Sequence, residues 1–130
     1  MKKILLLLML VFTTLTFSQT STFYMRAETF KAGEKNYKGQ VVWDESTLTK
    51  CDILIKLDDQ NATIFSKVRQ TYRVISMTHK DDMGSQWYCI DDKGRYCNIY
   101  LISIKDRPAR LAFVVEYSDY CWFYVCRESN

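Results

Sequence analysis

Proline occurs once, glycine four times and histidine once in a chain of 130 residues. So little proline and glycine excludes a low-complexity linker, and no internal repeat is visible. A single imidazole must serve any nucleophile–base arrangement, and no Gly-x-Ser-x-Gly elbow is present to supply the nucleophile. The cysteines show no Cys-x-x-Cys spacing for zinc. No Asp-x-Asp-x-Asp-Gly loop is present for calcium. His79, with Asp81 and Asp82 beside it, reads as a solvated turn. No segment repeats with a helical period. The sequence therefore leads us to expect no catalytic residue, no metal ligand, no cofactor and no enzymatic activity.

What is present begins with a leader. Lys2 and Lys3 precede an apolar run from Ile4 to Phe12, followed by Thr13 to Gln19. Charged, apolar and small-residue regions in that order are the pattern of an export signal, here cut after Ser18. The run is shorter than the roughly 20 apolar residues that cross a bilayer. No cysteine lies near the cut to carry a lipid. The expected organisation is a signal peptide over 1–18 and a single all-β domain over 19–130, periplasmic or secreted, with no transmembrane span in the mature chain. Loss of Lys2 and Lys3 changes 18 basic and 15 acidic residues to 16 and 15. With the two signs interleaved along the chain, neither a nucleic-acid partner nor a polybasic membrane patch is expected.

All five cysteines, Cys51, Cys89, Cys97, Cys121 and Cys126, lie beyond the cut. Export permits disulfides, but an odd number leaves at least one thiol over or an intermolecular bond. Five residues of extended strand separate Cys121 and Cys126 by roughly 17 Å, far beyond the limit of about 7 Å between bridged Cα atoms. Cys89 and Cys97 are the candidate disulfide; the other reading makes them small buried hydrophobes.

That pairing follows from the stretch Trp87 to Leu101, where two aromatic and β-branched runs flank Asp92-Lys93-Gly94. A three-residue loop with Gly94 at positive φ suits these residues. It sets Asp91 opposite Arg95, Cys89 opposite Cys97 and Trp87 opposite Ile99. One face then carries Trp87, Cys89, Cys97, Ile99 and Leu101, the coherent apolar face that favours this register. Around this central hairpin, strands are expected over 22–30, 37–44, 51–57, 62–66, 68–78, 111–117 and 120–126. Lys31–Asn36, Asp58–Asn61 and His79–Gly84 should be turns, and Glu45–Thr49 a polar connection. Many short strands with hairpin-length links point to an antiparallel up-and-down meander of about eight strands. It should form a closed or nearly closed barrel, which removes exposed edges; the alternative is a β-sandwich.

Aromatics are the remaining signal. Trp43 and Trp87 read as core. Tyr88, Tyr96 and Tyr100 fall on the face opposite Trp87, together with Gln86, Ile90 and Asn98. An exposed face of this composition is the candidate interaction surface (Gln86, Tyr88, Tyr96, Asn98, Tyr100), because tyrosine offers contact area with a polar handle.

The pattern Gln70-x-Tyr72, Trp87-x-Cys89-x-Asp91-x-x-Gly94-x-x-Cys97-x-Ile99-x-Leu101, then Val115-x-Tyr117-x-Asp119 behind such a leader resembles small exported bacterial all-β proteins of unknown function. In outline the meander is similar to lipocalin-like barrels. The resemblance covers most of the mature chain and implies no catalytic residues. Two functions are expected from these observations. One is a non-catalytic binding or interaction module of the bacterial cell envelope, its partner an envelope protein met by the tyrosine-rich face or the barrel rim. The other is a lipocalin-like carrier of a small apolar ligand, since an eight-stranded barrel either fills its interior or holds one such molecule.

Overall fold

Alternating apolar positions and short polar turns fold the chain into strands alone. The computed structural model describes residues 22–107 and 109–129; the expected signal peptide, 1–18, lies outside them. Among the described residues there is no helix and there are eight strands: β1 (Phe23–Lys35), β2 (Val41–Leu57), β3 (Asn61–Ile64), β4 (Gln70–Asp81), β5 (Gly84–Asp91), β6 (Tyr96–Ser103), β7 (Arg110–Glu116) and β8 (Tyr120–Glu128). Each pairs antiparallel with its sequence neighbour, and β1 closes on β8 from Met25↔Glu128 to Glu34↔Tyr120. The result is a closed barrel, not a sandwich.

The central hairpin forms in the expected register, with Cys89↔Cys97 and Trp87↔Ile99. Asp91 N–H donates to the Arg95 carbonyl at 2.9 Å, and Gly94 takes φ 82°. The four-residue turn after β2 also forms as expected, placing Leu57 opposite Ala62 and Ile55 opposite Ile64. Asp58 organises it by accepting bonds from the Gln60 and Asn61 N–H groups, the turn chemistry of a short carboxylate side chain.

The first hairpin differs from expectation. β1 continues through Lys31–Lys35, and the turn lies at 36–40, where Asn36 Oδ1 accepts from Lys38 N and Gln40 N. The expected polar connection at Glu45–Thr49 is strand as well. β2 is unbroken from Val41 to Leu57, and its surplus residues form a bulge where the register passes from Phe30↔Thr49 to Ala32↔Asp44. Thr47 makes this possible: its Oγ1 accepts from Ala32 N at 2.8 Å, so the donor that the bulge strips of a ladder partner is still bonded. On the expected fifth strand, Val68 precedes β4 and is 75% exposed. β4 itself runs on to Asp81, with register shifts near Ile75 and Thr78. β3, only four residues long, covers a small part of its neighbours.

Gly33 is required where it stands. A Cβ there would lie 2.7 Å from Trp43 Cε3 and 2.9 Å from Val41 Cγ1. Above it, Trp43 meets Phe123 edge-on at 5.4 Å, and Lys31 Nζ lies 5.2 Å from both rings. Trp43 thus belongs to the outer wall rather than the expected core.

Inward side chains from every strand fill the barrel: Met25, Ile55, Ile64, Tyr72, Cys89, Ile99, Phe113, Val115, Tyr124 and Cys126 are each at most 3% exposed. Trp87, Leu101 and Trp122, partly buried, pack against this cluster. Successive turns alternate between the two ends. The turns at 36–40, 65–69, 92–95 and 117–119 therefore gather at one mouth.

Candidate functional site

Because Trp87, Cys89, Cys97 and Ile99 point inward, their neighbours on β5 and β6 must point out. The ladder aligns Gln86 with Tyr100, Tyr88 with Asn98 and Ile90 with Tyr96. All five residues expected to form an interaction face, Gln86, Tyr88, Tyr96, Asn98 and Tyr100, are thereby brought together on the outer wall. Tyr88 and Tyr96 stack in near-parallel planes, 5° apart with ring centroids at 5.4 Å. Tyr96 is 56% exposed; the other four are half-buried. Gln86 Nε2 donates to Asn98 Oδ1 at 3.5 Å. Tyr100 OH donates to Glu116 Oε1 at 3.1 Å, and Lys35 pairs with the same carboxylate at 3.7 Å. Burial, reinforced by Glu116, pushes the Tyr100 phenol up to about 12. The face is therefore a neutral aromatic surface with its polar atoms already oriented, bordered by one ion pair.

The cysteine thiols are all held towards their protonated form. All five are free thiols, and Cys89 and Cys97 stand directly opposite each other inside the barrel. Burial raises Cys89 to about 11, and burial with the neighbouring Cys89 raises Cys97 to about 12. Burial likewise lifts Cys126 to about 12 and raises Cys51 and Cys121. A reactive thiol needs a depressed pKa and access; none of the five has the first, and only half-buried Cys51 has any of the second. His79, expected in a turn, lies on β4, which shortens the turn to Asp82 and Met83. Its Nε2 contacts Asp81 Oδ2 at 2.7 Å on the exposed end of that strand, where Asp81 Oδ1 also accepts from Met83 N and Gly84 N. Among the described residues no group of three His, Cys, Asp or Glu side chains is arranged to hold a metal.

At the mouth, where the rim is the other expected binding surface, the structure assembles a set of side chains that the sequence did not single out together. Asp91 Oδ1 accepts from Lys93 N at 2.9 Å and Arg95 N at 2.8 Å, while Oδ2 accepts from Tyr117 OH at 2.8 Å. Burial opposes its charge, but the Arg95 N–H, the Tyr117 hydroxyl and the Lys93 N–H together hold its carboxyl below the usual range. Tyr72, nearly fully buried, donates to Gln70 Oε1 at 2.9 Å. Burial, followed by Tyr117, raises the Tyr72 phenol, and burial with Asp91 raises that of Tyr117. Arg95 lies over the Tyr117 and Tyr120 rings, at 4.8 and 5.4 Å, and pairs with Asp119 at 3.3 Å. Two open concavities meet at Tyr120 and Trp122. One, of about 520 Å³, includes Glu34, Val42 and Asp44; the other, of about 210 Å³, includes Gln70, Asp91 and Arg95. Gln70-x-Tyr72 and Asp119 stood out in the sequence, but only barrel closure shows that they belong to one rim.

No family model, curated protein or solved structure matches the chain. Among the described residues no helix is long and apolar enough to cross a membrane.

Proposed function

We propose that this chain is an exported, non-catalytic binding module of the bacterial cell envelope that docks a partner protein on the outer β5–β6 wall. One observation carries the reading: Tyr88 and Tyr96 stack side by side on the outside of a barrel whose interior is already filled by other side chains. Stacked tyrosines with fixed polar neighbours present contact area while losing little side-chain freedom on binding. The filled interior supports this use over the carriage of a small apolar ligand, because the described concavities open at the rim or on the outer wall.

Site-specific photo-crosslinking in the native host tests the docking face. A photoreactive residue at position 96 or 100 should give one discrete protein adduct, and the same residue at Thr63 or Lys56, on β3 and β2, should not. Adducts of equal yield at all four positions would sink the assignment. Native mass spectrometry of protein purified from that host tests the carrier alternative, for which a stoichiometric lipid-sized mass is the positive result.

A further inference from the structure

The mature chain is nearly neutral and its charges alternate along the sequence, yet the barrel gathers an excess of one sign at a single place. The register of β1 shifts at Glu28 against both β2 and β8. A bulge of this kind re-aims its side chain. Glu28 is met by two guanidinium groups, Arg110 Nε at 2.6 Å from Oε1 and Arg127 Nε at 3.6 Å from Oε2. Beside them Arg26 pairs with Asp52 at 3.0 Å. Lys50 and Arg107 complete the rim of an open concavity of about 530 Å³ and make no ion pair among the described residues. Five cationic side chains thus face two carboxylates, a surplus of three positive charges. They come from β1, β2, β7, β8 and the turn before β7, so closure alone assembles them.

The turn that presents two of them is strained. Ala109 adopts φ 67°, a left-handed conformation disfavoured for a residue with a Cβ. Arg110 N–H bonds to the Arg107 carbonyl at 3.1 Å, and Ile104 N–H bonds to the Arg110 carbonyl at 3.2 Å, which together hold the turn closed. Strain of this kind persists where the surroundings over-determine it, often at a binding site.

We propose that this concavity binds a phosphate monoester dianion. A guanidinium is planar, permanently charged and forked, and pairs with phosphate oxygens through parallel N–H bonds. Glu28 engages Arg110 and Arg127 through their Nε atoms. Their side chains remain 33% and 50% exposed; Arg110 Nη1 also donates to the Ala109 carbonyl at 3.4 Å, which holds that guanidinium at the rim of the concavity. A dianion removes most of the surplus of three; a monoanion leaves two charges uncompensated. The ligand is either a soluble phosphorylated molecule or the headgroup of a phosphate-bearing lipid.

Titration of the mature protein with inorganic phosphate, followed by amide and arginine side-chain NMR, should give saturable shifts centred on Arg107, Arg110 and Arg127. Lys50→Gln with Arg107→Gln removes two cations without disturbing the pairs to Glu28, and should weaken binding at least tenfold. An Arg95→Gln control at the opposite mouth should not. Binding should fall between pH 8 and pH 5, because phosphate regains its second proton within that range, a monoester near pH 6, while arginine keeps its charge. Vesicles of phosphatidylcholine with phosphatidic acid form the second arm. Tighter binding to these than to phosphate, lost in the double variant, assigns the lipid source; phosphate binding without vesicle binding assigns the soluble one. Absence of binding in both arms, equal response to chloride, or full retention by the double variant would overturn the proposal.

Discussion

Single side chains decide whether this barrel closes without strain. Adding one methyl group in Gly33→Ala would force Trp43 off its neighbour or push Val41 aside. Overpacking at a constrained contact costs about 1–3 kcal/mol, so a lower thermal midpoint is expected, with the native circular dichroism retained at 20 °C. Asp91 makes a pH-dependent contribution. Its folded pKa lies below the ordinary value of about 3.9, so on acidification the unfolded chain takes up the proton first. Its stabilisation is therefore complete above about pH 4 and is lost as pH falls through the lower, folded value. Urea melts at pH 7 and pH 3 should show a smaller drop for Asp91→Asn than for the unmutated protein. The cysteines give a third expectation. Cys89 and Cys97 occupy an antiparallel pair that exchanges backbone bonds, alternating from the bonded Asp91–Arg95 pair, where side chains sit farther apart than in the other pair type. Unfolding without reductant in the presence of iodoacetamide should label all five thiols; two missing labels would show that the pair had oxidised.

Elements were legible where local chemistry alone fixed them. Asp92-Lys93-Gly94 and Asp58-Asp59-Gln60-Asn61 are turns by residue type, and both place their flanking strands in register. The tyrosine face followed directly, since the side-chain period of two leaves Tyr88, Asn98 and Tyr100 nowhere else to point. The first hairpin was misplaced for an equally physical reason. Glu45-Ser46-Thr47 reads as a break because nothing nearby in sequence shows that Thr47 will meet Ala32 N–H, fifteen residues away. Replacing Thr47 by valine tests that contact. An orphaned partly buried donor costs about 1–3 kcal/mol, and amide exchange at Ala32 should accelerate while exchange at Ile99, on the far wall, stays slow.

For the whole molecule, closure made the difference between what could be read and what could not. Alternation and short links indicate a meander, but not which distant residues share a rim. Asp91 meets Tyr117, two strands away, only when the sheet curls, and Arg110 meets Glu28 only when β1 pairs with β8. Closure also ties the ends of the domain together. Circular dichroism and tryptophan fluorescence should therefore report one coincident unfolding transition, and a chain ending at Asp119, without β8, should fail to fold.

The brevity of β3 has its own consequence. It leaves the upper reach of β2 and the lower reach of β4 as unhemmed borders, along which a second molecule would find open backbone to stitch onto. Each border is crimped, by the insertion around Thr47 on one side and the irregularities near Ile75 and Thr78 on the other. Those crimps act as guards against polymerisation, and shortening the chain there would turn a self-contained barrel into a repeating one.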